Sequence, residues 1–127
     1  MRRAKALGAQ LKQARLSAGL SLAQLATRAR LRNRGSRIDA GGVWKAERGK
    51  ARLPTICMLA RVLGFGIELP SIPELRAVRR WTRQKLAAHA RVHAATLRKI
   101  ENDPQTVVLA KVECVYRALN APLMLSA

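Results

Sequence analysis

Val43-Trp44-Lys45-Ala46-Glu47 returns 54 positions later as Leu97-Arg98-Lys99-Ile100-Glu101. Each run places two apolar residues three apart, a lysine between them and a glutamate at the end, the spacing of one buried helical face. The surroundings repeat as well. Arg15, Gly19-Leu20-Ser21 and Leu25-Ala26 precede the first run; Arg76, Arg80-Trp81-Thr82 and Leu86-Ala87 precede the second, 61 positions further on. Leu59-Ala60-Arg61-Val62-Leu63 follows the first, and Val115-Tyr116-Arg117-Ala118-Leu119 the second. The drop in offset from 61 to 54 means that the first copy carries seven extra residues between its second and third helices. A helical unit of about 60 residues stated twice predicts an all-α chain of two tandem units.

Composition agrees with that reading. The 49% of hydrophobic residues rests on Ala, Leu and Val with few aromatics, which suits close-packed helices better than strands. Each unit alone is near the lower limit for an independent core, so docking of the two, or dimerisation, is expected to add apolar burial. Lys and Arg number 25 against 7 acids, a net charge of +18. The first 69 residues carry 15 basic and 3 acidic groups and the remainder 10 and 4, so both halves are basic. Uncompensated cations repel one another unless phosphates and released counterions reward them, which points to a polyanion partner. A membrane surface would call for a basic amphipathic helix with bulky apolar anchors, and one Phe and two Trp supply few. Cys57 and Cys114 lie in apolar helical runs without ligand spacing and are expected to be reduced and buried. Met1-Arg2-Arg3-Ala4-Lys5 has no uninterrupted apolar segment behind it, so neither a signal peptide nor a spanning helix is expected.

Local signals place the elements. Leu7, Leu11 and Ala14 share a face of a first helix over 5–18, stopped by Gly19. Ser21 caps a second helix. From Arg28 the pattern breaks into an Arg-rich insertion, 28–38, with five arginines in ten residues and Asn, Gly and Ser as loop formers. Asp39 caps a third helix over 40–48, although Gly41 and Gly42 each weaken it by about 1 kcal/mol relative to Ala and leave open a later start. Gly49 ends that helix, and Pro54 opens a fourth. Residues 64–69 read as a short strand, mirrored by Leu123-x-Leu125 at the other end. The domains are therefore expected at 1–69 and 75–127, joined by a linker at 70–74. In the second, Thr82 caps a helix through Ala90, a third helix covers 94–102, Asp103-Pro104 turns the chain and a fourth covers 106–119.

A Leu-Ser step between two helices, an Arg in the first helix and a Glu closing the third resemble the lambda-repressor-like (XRE) helix-turn-helix family, and the pattern occurs twice. The resemblance implies two tandem helix-turn-helix domains of four to five helices each, with short C-terminal strands. It implies structural pairs between Arg15 and Glu47 and between Arg76 and Glu101. The second copy, through Trp81-Thr82, Thr96, Glu101-Asn102-Asp103-Pro104 and the terminal Leu-Met-Leu, is similar to HipB-type antitoxins and regulators.

What the family does implies a sequence-specific double-stranded DNA-binding transcription regulator, cytoplasmic and nucleoid-associated, with the third helix of each unit in the major groove. Carried over by position, the second copy offers Ala94, Ala95 and Lys99 toward bases, with His93, Thr96 and Arg98 nearer the backbone and Thr82 and Arg83 on phosphates. The matching edge of the first copy, Ser21, Ala40, Gly41, Gly42 and Lys45, is nearly featureless, and Trp44 stands where a polar residue is usual. Either the arginine loop takes over, with Arg30, Arg32, Arg34 or Arg37 in a minor groove or on phosphates, or this unit docks a partner through Trp44. Pairing of the terminal strands within the chain would make a pseudo-dimer; pairing between chains would make a homodimer.

The alternative from another class is a HipB-like antitoxin that binds a protein toxin of the HipA type and autoregulates its operon. RNA polymerase is a further conceivable protein partner, and nonspecific nucleoid or RNA binding is a third reading. No catalytic residues, cofactor or metal are expected: His89 and His93 lie four apart with nothing to complete a ligand set. There is no P-loop, nucleophile elbow or glycine-rich cofactor fingerprint either.

Overall fold

Four features stop and start the chain in the first half as its local chemistry requires. The computed structural model describes residues 5–127, and Met1, Arg2, Arg3 and Ala4 lie outside them. Helix α1 is Leu7–Ser17, and Gly19, at φ 72°, turns the chain out of it. Helix α2, Leu22–Arg32, opens on a reciprocal capping box in which the amide of Gln24 donates to Ser21 Oγ and the amide of Ser21 donates to Gln24 Oε1. Helix α3, Ala40–Glu47, is capped by Asp39, which accepts from the amide of Gly42. Helix α4, Leu53–Val62, takes Pro54 into its first turn, where no intrahelical donor is needed. In the second half α5 is Ile72–Arg79, α6 Arg83–Ala90, α7 Ala94–Asn102 and α8 Leu109–Ala118, with a one-turn 3₁₀ helix at Pro104–Thr106 before α8. The described residues are thus all-α apart from two two-residue strands, β1 (Gly66–Ile67) and β2 (Leu125–Ser126).

Several boundaries differ from the sequence reading. The helical pattern does not break at Arg28: α2 continues through Arg32, because Leu25, Ala26 and Ala29 keep burying one face. Compared with α6, α2 is three residues longer, and the loop 33–39 is four longer than the loop 91–93, which together account for the seven extra residues. Helix α3 contains both glycines, and Gly42 has a packing reason, since a Cβ there would stand 2.9 Å from Ile38 Cγ1. Helix α5 starts inside the expected linker, since Ser71 accepts from the amide of Glu74 and Pro73 sits in the tolerant first turn. Helix α8 starts three residues later than expected, because Asp103 and Pro104 wind the intervening chain into the 3₁₀ turn.

The two halves repeat a side-chain clamp. Arg15 Nε donates to Glu47 Oε2 at 2.6 Å and its Nη1 to the Leu20 carbonyl at 2.8 Å. Arg76 Nε donates to Glu101 Oε1 at 3.2 Å and its Nη1 to the Trp81 carbonyl at 3.2 Å. Each arginine ties the first helix of its half to the end of the third and to the entrance of the second. Leu20 and Trp81 are themselves 61 positions apart, so the bond pattern repeats with the sequence.

The halves also meet across antiparallel contacts. β1 pairs with β2 so that Gly66 faces Ser126 and Ile67 faces Leu125, a register centred on Glu68 and Met124, which are 56 positions apart. The only isolated bridge among the described residues joins Arg52 to Val108, again 56 apart, as are the first residues of α4 and α8. The Arg52–Val108 bridge joins equivalent positions of the repeat, and the strand register is symmetric about the equivalent pair Glu68 and Met124, the pattern that a twofold axis between the halves produces. The strands close within one chain, with Ile67 opposite Leu125 as antiparallel pairing of 67–69 against 123–125 requires, but the ladder covers only 66–67 and 125–126. Pro70 and Pro122 lack amide donors and limit the ladder. Gln10 of α1 locks β2 in place, donating to the Leu123 carbonyl and accepting from the Leu125 amide. Glu113 of α8 accepts from the Leu7 amide at 2.8 Å and so caps α1 from the other half. Tyr116 Oη donates to the Pro70 carbonyl and holds the connection. One buried cluster, from Leu7, Leu11 and Leu25 to Leu97, Leu109 and Val112, draws on both halves.

Candidate nucleic-acid interface

The outward faces of α6 and α7 form a concavity of about 460 Å³ lined by Thr82, Arg83, Gln84, Ala94, Ala95 and Arg98. It exists because Leu86, Ala87 and Ala90 turn one face of α6 inward while Leu97 and Ile100 do the same for α7. Five of the eight second-copy residues nominated from sequence meet here; Gln84 was missed. Lys99 and His93 are exposed outside this lining and Thr96 is half-buried. The Thr82 hydroxyl accepts from the Lys85 amide and is committed as a cap. Arg83 Nε donates to Glu101 Oε2 at 2.7 Å, so Glu101, with its side chain almost fully buried, holds Arg76 and Arg83 together. Arg83 is therefore an anchored cation at the rim of the concavity. Trp81 stacks on His89 with centroids 4.5 Å apart, which explains this histidine without a metal. Among the described residues no group of three His, Cys, Asp or Glu side chains is placed to hold a metal ion.

The first copy is built differently. Positions equivalent to that lining are Ser21, Leu22, Ala23, Ala40, Gly41 and Trp44, without a charge among them. Trp44 is exposed, and the Arg48 guanidinium stacks 3.7 Å from its ring centroid. Contrary to the loop expected from sequence, Arg30 and Arg32 lie in the last turn of α2: Arg30 donates to the Ile38 carbonyl of the following loop at 2.6 Å, and Arg32 donates to the Arg61 carbonyl of α4 at 3.3 Å. Arg34 and Arg37 are exposed. Arg37 joins Gly42 and Lys45 in a second concavity of about 470 Å³, on the loop side of α3, together with Lys50 and Arg52. Lys50 and Arg52 were not nominated from sequence. Only the fold carries the α3–α4 turn back beside the insertion.

Of the two cysteines, Cys57 is half-buried and burial pushes its thiol up, with Arg61 opposing. Cys114 is exposed, contrary to expectation, because it falls on the outer face of α8 while Val112, Val115 and Tyr116 point inward. Among the described residues no helix is long and apolar enough to cross a membrane. No protein-family model, curated protein or solved structure matches the chain.

Proposed function

We propose that the chain is a sequence-specific double-stranded DNA-binding transcription regulator, made of two tandem helix-turn-helix units and acting at the nucleoid. The observation that carries this reading is the clamp present in both halves. Arg15–Glu47 and Arg76–Glu101 fix the helix pairs α2–α3 and α6–α7 against α1 and α5, leaving Lys45 and Lys99 exposed on α3 and α7. A rigid second helix of such a pair, on a surface of net charge +18, is what major-groove reading requires. In this reading α7 reads base edges through Ala95 and Lys99, with Arg98 on the backbone and Arg83 anchored by Glu101. The twofold-like joining of the halves presents two readers from one chain. Because their edges differ, the site is not a palindrome.

A second reading, a HipB-like antitoxin that binds a protein toxin, is favoured by the exposed Trp44 ring, which stands in the first copy where Arg98 stands in the second. Selection of bound duplexes from a random library at two salt concentrations tests the regulator reading. A regulator enriches a defined sequence that survives the higher salt; broad binding that collapses with salt refutes sequence-specific regulation.

A further inference from the structure

We propose that the basic groove on the loop side of α3 grips the phosphate backbone at one end of the bound duplex, giving the chain an asymmetric footprint. The inference rests on the DNA-binding reading and adds to it a contact that the second half cannot make. Arg37, Lys45, Lys50 and Arg52 line this concavity of about 470 Å³, and no carboxylate lines it. The neighbouring Asp39 is occupied with the amide of Gly42. Arg37 and Arg52 donate no hydrogen bond from their guanidinium groups and make no ion pair among the described residues, and both are exposed. Four cations around one hollow repel each other more than the single capping carboxylate of Asp39 beside them offsets, and a chain of phosphates relieves that repulsion. The longer α2–α3 loop of the first copy supplies one wall through Ser36, Arg37 and Ile38, and the Arg30–Ile38 bond ties that loop to α2, so Arg37 is carried on a tethered segment.

The second half has no counterpart. Its α6–α7 loop is three residues long, Val108 stands at the place of Arg52, and the stretch 104–110 has no charged residue. Of the four cations only Lys45 has an equivalent, Lys99. The first half thus exchanges base-edge readers for backbone grip, and the insertion is the device that does so.

The test uses the full chain with the double substitution Arg37→Gln/Arg52→Gln, on both a selected duplex and a random-sequence duplex. The slope of log affinity against log salt is expected to fall by about two units on both duplexes, near 0.9 for each phosphate no longer neutralised. The preferred sequence should stay unchanged, and hydroxyl-radical protection should disappear at one flank of the footprint. An unchanged slope, or equal loss of protection at both flanks, overturns the groove. If the double variant does not retain the wild-type helical circular dichroism, Lys50→Gln alone is measured, with a fall of about one unit expected and no fall overturning the proposal. The two ideas fail separately. A wild-type chain that enriches no sequence refutes specific reading, while the salt slope on random duplex still decides the groove.

Discussion

Glu47 and Glu101 each decide where two helices sit, and they differ in how much depends on them. The Arg15–Glu47 pair has side-chain exposures of 8% and 2% and shares no third charge. Glu47→Gln strands a buried guanidinium, and chemical denaturation should show a loss of about 3–5 kcal/mol. Glu101 serves two arginines, one of them half-exposed, so its loss is relieved by solvent and should cost less. These pairs were legible through the family resemblance, whose Arg and Glu both occur in each copy. Glu113 was not, since its partner is the backbone amide of Leu7, 106 positions away. Burial holds the Glu113 carboxyl above the usual range, with the Leu7 amide and Arg117 opposing. The folded state therefore binds this proton more tightly than the unfolded state. The group's contribution is greatest below about pH 4, the ordinary glutamate range, and declines as pH rises through the raised value. Glu113→Gln keeps an acceptor for the amide and should remove that decline, seen as a flatter profile of melting temperature between pH 4 and 7. A profile as steep as wild type would contradict the assignment.

Helix packing turns on glycines that composition alone could not rank. A Cβ at Gly8 would stand 2.4 Å from the Glu47 carbonyl oxygen, so α1 crosses the end of α3 at backbone contact. Gly8→Ala should force the two apart and cost about 1–3 kcal/mol. Gly41 faces open space apart from its own cap, at 3.4 Å from Asp39 Oδ1, and Gly41→Ala should stabilise α3 by roughly 0.5–1 kcal/mol. Paired thermal melts check both, and matching shifts of the same sign would refute the distinction. Helix starts were readable at the side-chain caps Ser21, Asp39 and Thr82, but not at Ser71, whose two flanking prolines read as linker. The ends of the insertion were misread because arginines tolerate helix and loop alike. The extension of α2 is decided by Ala29 packing inward, which the local pattern of arginines hides. The basic groove was invisible for a similar reason: Lys50 and Arg52 become neighbours of Arg37 only once α3 and α4 fold back beside the loop.

Across the whole molecule, the all-helical character was legible in the repeat, and the antiparallel pairings 52/108, 66/126 and 67/125 join the two halves within one chain. Gln10, Glu113 and Tyr116 each cross or brace that junction, so the halves share one core and should unfold together. What sequence could not decide was whether the terminal strands pair within or between chains, because a two-residue ladder carries little register information of its own. On the DNA-binding reading proposed above, the chain would have two unequal readers, α7 with the base-specific edge and α3 with the backbone grip. Running the wild-type chain and Lys99→Ala side by side through selection of bound duplexes tests that division. The wild type should enrich a non-palindromic sequence, and Lys99→Ala should lose preference at a single base pair in one half, at a cost of about 1–3 kcal/mol. Identical sequences from both chains, or a palindrome from the wild type, would contradict it.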